Sequence, residues 1–291
     1  MGKDGFSKCH PLTNFLFFLG AICFGVLFQH PAYLLSGILC AGIYYLLLKG
    51  RNALKSMAMM LPLWLAVTLI NPLFNTQGSH TLFLLFGRPY TLEALFYGMA
   101  VGGILVITLL WFSCYSCIMT EDKFTALFGN LAPSLSLLLV MVLRLIPNLF
   151  TKAKQIASAR DAIGKGVKSG TVKEKISHGM TVLLTLTGWA LESSILTADS
   201  MRSRGYGTAK RSSFQIYRFT AADYRTLIVL IITAIFTVCG AATGAVEATF
   251  TPVFSSAPIS VFLPVYCIYL LIPTYVHLKE VLLCRIFISR I

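Results

Sequence analysis

The sequence predicts an all-α polytopic membrane protein, with about six transmembrane helices plus a cytoplasmic domain of long helices. Three observations predict it. Hydrophobic residues make up 56% of the 291 residues and charged ones only 12%, about half the charged share of a soluble domain. Mean hydropathy is +0.77. The apolar residues fall into runs of about 17–25, and the excess of Lys and Arg, 24 against 11 acidic residues, is concentrated on alternate loops. On a soluble chain a net charge of +13 would suggest nucleic acid; between apolar runs it first describes orientation across a bilayer.

The elements follow in order. The opening stretch has a basic head and an apolar run without an A-x-A-like cleavage site, which predicts a retained first helix. Spans are expected at 13–28, 31–48, 57–73, 92–118, 224–243 and 259–277. Lys3 and Lys8 precede the first, Lys49, Arg51 and Lys55 join the second to the third, and Lys279, Arg285 and Arg290 follow the last. The opposite loops hold a single basic residue, Arg88. Both termini are therefore expected in the cytoplasm of a cell whose plasma membrane the chain crosses several times. On the outer side, Asn71 and Asn75 predict a turn and helix cap, "TLFLLFGRPYT" a short external hairpin, and Glu93 and Glu247, near span ends, are expected to be solvated.

Residues 119–222 break the simple pattern. Two further apolar runs, 131–150 and 178–201, are long enough to span. If both did, Lys152, Lys154, Arg160, Lys165, Lys168, Lys173 and Lys175 would lie outside; if one did, the C-terminal half would invert. Either breaks the charge rule that the other loops obey. Arg144 interrupts the first run and Glu192 and Asp199 the second, each at a cost of at least ~2.5–3.5 kcal/mol in mid-bilayer. Two long cytoplasmic helices are expected instead. One starts near Pro133 and Ser134, passes a kink at Pro147 and stops at Gly164 and Gly166; the other starts within 172–178 and stops at Gly205. Arginine stands at the end of each, as Arg160 and Arg204. A cation in the last turn complements the helix dipole, but two apolar helices each with a basic tip beside glycine also suit grooves that carry carboxylates. The domain division is 1–118 with four spans, 119–222 with the long helices, and 223–291 with two spans.

With this topology, "NPLFNTQG" (71–78), "EDKFTALFGNLAPSLSLLLVMVLRLIPNL" (121–149) and the two tips resemble the transmembrane T component of energy-coupling factor (ECF) transporters, the EcfT or CbiQ-like family. The resemblance implies a non-catalytic bacterial scaffold that joins two cytoplasmic ABC-type ATPase subunits to a membrane-embedded S component, which binds a vitamin or metal ion. It assigns ATPase coupling to Ala159, Arg160 and Asp161 and to Ser203, Arg204 and Gly205. Asp161 and Ser203 depart from the family's Ala-Arg-Gly pattern, and Asp161 is placed to compete for Arg160. Arg202 lies two residues from Arg204, off its face, so Arg204 is the expected contact. The implied coupling flank comprises Leu135, Leu138, Val142, Leu183, Leu186 and Trp189, pressing on the S component.

Other chemistries have little support. There is no G-x-x-x-x-G-K-[ST] for ATP, no ligand spacing among the five histidines, and Cys114 and Cys117 lack further metal ligands or a base. Cysteines in the apolar runs are expected as small buried residues. No cofactor and no nucleic acid are expected, since the basic linker 164–175 has no aromatic residue to stack on bases; contact with anionic lipid is plausible there. The alternatives are a stand-alone permease with its own substrate site, which requires convergent polar groups at mid-membrane, and an intramembrane enzyme.

Overall fold

A computed structural model describes residues 5–75, 78, 80–85, 88–129, 133–166, 171–208, 217–244, 248–249, 255–256 and 261–288. They form an all-α polytopic membrane protein. The chain divides into one compact unit of residues 1–124 with 217–291, and a second of residues 125–216.

The first unit contains α1 (Pro11–Leu27), α2 (Pro31–Lys49), α3 (Arg51–Phe74), α4 (Leu92–Ile118), α8 (Ala221–Ala242) and α9 (Phe262–Ile288). The first two begin alike, with His-Pro. His10 Nδ1 accepts the Leu12 N–H and His30 Nδ1 the Ala32 N–H, both at 3.2 Å, while proline takes the first helical position. Each histidine thus satisfies an orphan helix amide.

Gly50, at φ +58°, both ends α2 and precedes α3. The expected basic loop there is consequently helical from Arg51, because "RNALKSMAMM" is rich in good helix formers. At the other end α9 runs well past residue 277, since nothing in "LKEVLLCRIFI" stops it.

The interior of this unit is aromatic. Phe17 stacks on Tyr269 (5.4 Å between ring centres) and meets Trp111 edge-on, and Tyr269 Oη donates to Phe17 O at 3.0 Å. Phe28, Tyr33 and Tyr266 continue the packing. Helices α3 and α4 approach closely through glycine: a Cβ on Gly98 would fall 2.8 Å from Thr68 O, and one on Gly102 2.7 Å from Trp64 Cδ1. Trp64 Nε1 donates to Met99 O (3.2 Å) across the same contact, the small-x-x-x-small packing common between membrane helices. Outward-facing Ile228, Ile231, Ile235 and Phe236 on α8 are exposed, as lipid-facing residues are.

The short segment before α1 is fastened at several points. Lys8 pairs with Glu280, and buried Lys123 donates to Ser7 O, to Ser7 Oγ (2.9 Å) and to Ile118 O (3.1 Å). The His10 N–H donates to Asp223 Oδ1 at 3.0 Å, and the His10 ring stacks on Phe219.

The expected hairpin is present as two paired strands, β1 (Thr81–Leu85) antiparallel to β2 (Arg88–Thr91); β3 (Ala248–Thr249) pairs with β4 (Ser255–Ser256). Asn75 caps the end of α3, whereas Asn71 lies inside it, packed on Gly98. Glu93 corrects an expectation. It is buried, at 4% exposure, and accepts the His80 N–H through both oxygens (3.1 and 3.3 Å), so backbone amide replaces water around the carboxylate. Glu247 lies outside the described residues. The cysteines also divide: Cys40 and Cys114 are buried, but Cys23, Cys117 and Cys239 are exposed on outer helix faces, where a small apolar thiol suits lipid contact.

Candidate functional site

The second unit carries the two arginine tips. A short helix the sequence did not announce, α5 (Glu121–Gly129), leads into α6 (Pro133–Ala162), which runs unbroken through Pro147, and α7 (Val172–Ser203) follows. Thr171 precedes α7, its N–H held by Glu174 Oε2 at 2.7 Å, one arm of a capping box.

Two contacts fix how α6 and α7 pair. Lys152 Nζ lies 5.6 Å from the centre of the Trp189 ring, and Arg160 Nη2 donates to His178 Nδ1 at 3.3 Å. As numbering rises on one helix it falls on the other, so the pair is antiparallel. On α7 the residues facing this seam are His178, Val182, Leu186 and Trp189, spaced four, four and three apart, and all are buried or half-buried. On α6 they are Lys152, Ile156 and Arg160. A stripe of α6 that adjoins this face, Leu135, Leu138, Val142, Ile146 and Phe150, is exposed, as is Leu183 on α7. The predicted flank is therefore split: Leu135, Leu138, Val142 and Leu183 are outward, whereas Leu186 and Trp189 belong to the seam.

Both helices end in the same backbone device. In α6 the Lys165 N–H reaches Arg160 O and the Gly164 N–H reaches Asp161 O, each at 3.0 Å, with Gly164 at φ +73°. In α7 the Tyr206 N–H reaches Met201 O and the Gly205 N–H reaches Arg202 O, again at 3.0 Å, with Gly205 at φ +79°. These are Schellman caps, which need a left-handed residue that glycine supplies without strain. Aligning them shows that the arginines differ in register. Arg204 stands immediately before its glycine and is exposed; Arg160 stands one turn further in, at the position equivalent to Met201 in the α7 cap, and is half-buried.

The neighbours of each tip follow from this offset. Ala159 is exposed beside Arg160. Asp161 does not take the Arg160 guanidinium: its carboxylate lies over Gly166, where a Cβ would collide with Oδ1. Ser203 Oγ donates back to Ser200 O (2.9 Å), and Thr208 Oγ1 to Gly205 O (2.7 Å), which leaves the Arg204 side chain projecting from a closed cap. Lys168, Lys210 and Arg211 lie outside the described residues.

From His178, beside Arg160, to Arg204 is 26 residues of α7, roughly 39 Å at 1.5 Å per residue. The two cationic tips are thus at opposite ends of one helix. Among the described residues no cluster of three or more His, Cys, Asp or Glu could hold a metal ion.

The helices α2, α3, α4, α6, α7, α8 and α9 are each long and apolar enough to cross a membrane, with α1 shorter at 17 residues. This is a multi-pass membrane protein bearing an antiparallel helical pair with capped, basic ends. Residues 6–216 match the family CbiQ, described as cobalt transport protein, and the chain belongs to that family of transport proteins. It is also 27% identical over 183 residues to the energy-coupling factor transporter transmembrane protein EcfT of Staphylococcus aureus (strain 04-02981), a match that covers 59% of this chain and 68% of the relative.

Proposed function

We propose that the chain is the transmembrane coupling and scaffold subunit of an ATP-driven ECF-type importer, itself non-catalytic. In this reading residues 119–222 face the cytoplasm, as do both termini. Arg160 and Arg204 engage acidic grooves on two ABC-type ATPase subunits, and the outward stripe of Leu135, Leu138 and Val142, with Leu183, bears on a membrane-embedded S component that binds a vitamin or metal ion. The observation that carries it is the separation of the tips: roughly 39 Å along one helix requires two receiving sites, as a pair of ATPases offers.

Two further features support it. Arg144, Glu192 and Asp199 are all exposed on α6 and α7, so a bilayer placement would put each against hydrocarbon. The interior of the first unit is filled by Phe17, Trp111, Tyr266 and Tyr269, packing suited to a scaffold rather than to a permease with a hydrated site.

The mechanism follows from rigidity. A change in groove separation during ATP turnover moves two capped helix ends, and the helix pair, joined by Lys152–Trp189 and Arg160–His178, transmits that motion to the exposed stripe. Only contacts that differ between the two ATPase states can drive it. Affinity purification of the tagged full chain from its native membrane is expected to bring down ATPase subunits and a small membrane protein. With Arg160→Ala and Arg204→Ala together, the chain should still insert but lose the ATPases. An undiminished ATPase yield from that double variant would remove the proposal.

A further inference from the structure

The two tips differ in what their arginines touch. A guanidinium keeps its proton, so Arg160 is the donor to His178, and Nδ1 of that imidazole must carry the lone pair with its hydrogen on Nε2. Arg160 Nε is buried and has no hydrogen-bond partner. Nε and Nη2 make up one edge of the guanidinium, an edge that can donate two parallel bonds to a carboxylate. His178 therefore occupies Nη2, one of the two nitrogens of that edge, at 3.3 Å, while Nε stays unsatisfied. The neighbouring carboxylates of both helices are turned elsewhere: Asp161 lies over Gly166, and Glu174 accepts the Thr171 N–H.

We propose that His178 is a positioning residue that parks Arg160 in the α6–α7 seam, as an internal, neutral competitor for the carboxylate of a partner protein. This rests on the coupling reading above. A single bond to imidazole holds the guanidinium in place between engagements; a carboxylate that makes two charge-assisted bonds to Nε and Nη2 displaces it. The α6 tip is then a reversible contact, while Arg204, exposed beyond a closed cap, is the standing one.

The test measures the dissociation constant of the isolated ATPase pair for the full chain in lipid nanodiscs. His178→Leu removes the acceptor and is expected to tighten attachment about 3- to 10-fold, the worth of one net hydrogen bond. His178→Asn, whose side-chain oxygen accepts much as Nδ1 does, should restore the parent affinity. In an Arg160→Ala background the Leu substitution should change nothing. His178→Phe gives the same reading should the Leu variant fail to insert.

Tightening that persists without Arg160, or Leu and Phe variants that bind as the parent does or more weakly, overturns the parking role. Arg160→Ala without any effect on attachment overturns the coupling reading at this tip, and the parking role with it.

Discussion

Replacing Arg204 with glutamate is expected to weaken ATPase attachment at least ~30-fold, about 2 kcal/mol or more, and to abolish transport while the protein still inserts. The physical grounds lie in the tip. Arg204 ends α7, its neighbours Ser203 and Thr208 are turned back onto the helix backbone, and Gly205 at φ +79° closes the cap. The helix therefore survives the substitution, because the Arg204 side chain makes no hydrogen bond or ion pair among the described residues that would be lost. What changes is the sign of the charge presented to the proposed acidic groove. Arg204→Lys keeps the charge but not the planar fork, so an intermediate loss is expected, and the order parent, Lys, Ala, Glu in a quantitative pull-down is the signature of a charge-assisted contact.

Gly98→Ala should destabilise the protein, whereas Gly103→Ala, five residues on along the same helix, should be neutral or stabilising. Adding a Cβ to a helical glycine normally gains roughly 0.5–1 kcal/mol from chain entropy. At Gly103 that methyl meets only Leu34 Cδ1, at 3.8 Å, an ordinary contact. At Gly98 it meets the Thr68 carbonyl oxygen at 2.8 Å and Asn71 Cβ at 3.0 Å. Backbone cannot turn aside as a flexible side chain can, so α3 must move off α4 and weaken the Trp64–Met99 bond. Overpacking of this kind costs about 1–3 kcal/mol. Thermal unfolding of the two purified variants in one detergent checks the difference in sign.

What was legible in the sequence and what was not divide along one physical line. Spans are local: a run of apolar residues announces itself, and α1 to α4, α8 and α9 stand close to where hydropathy places them. Stops at glycine are local too, and Gly164 and Gly205 both carry the positive φ that their positions demand. Long-range partners are not local. Glu93 reads as solvated because the amide that satisfies it belongs to His80, thirteen residues away. Leu186 and Trp189 read as part of the coupling flank, and only Lys152 on the other helix shows that this side of α7 is turned toward α6. A signal for that face was present in the four, four, three spacing of His178, Val182, Leu186 and Trp189, but apolar residues on α7 occur on more than one face. The two tips read as a matched pair, yet the caps show Arg160 one turn deeper than Arg204. That offset explains how the first can reach His178 while the second stays free of the seam.

The central claim is the side of the membrane on which the α6–α7 pair lies. A single cysteine at Lys165, exposed just past the α6 cap, in a background without the eight native cysteines, can be treated in intact cells with a membrane-impermeant maleimide. The account predicts no labelling until the membrane is opened, and full labelling afterwards. Labelling of intact cells would place this end of the hairpin outside, out of reach of any ATPase, and would contradict the account.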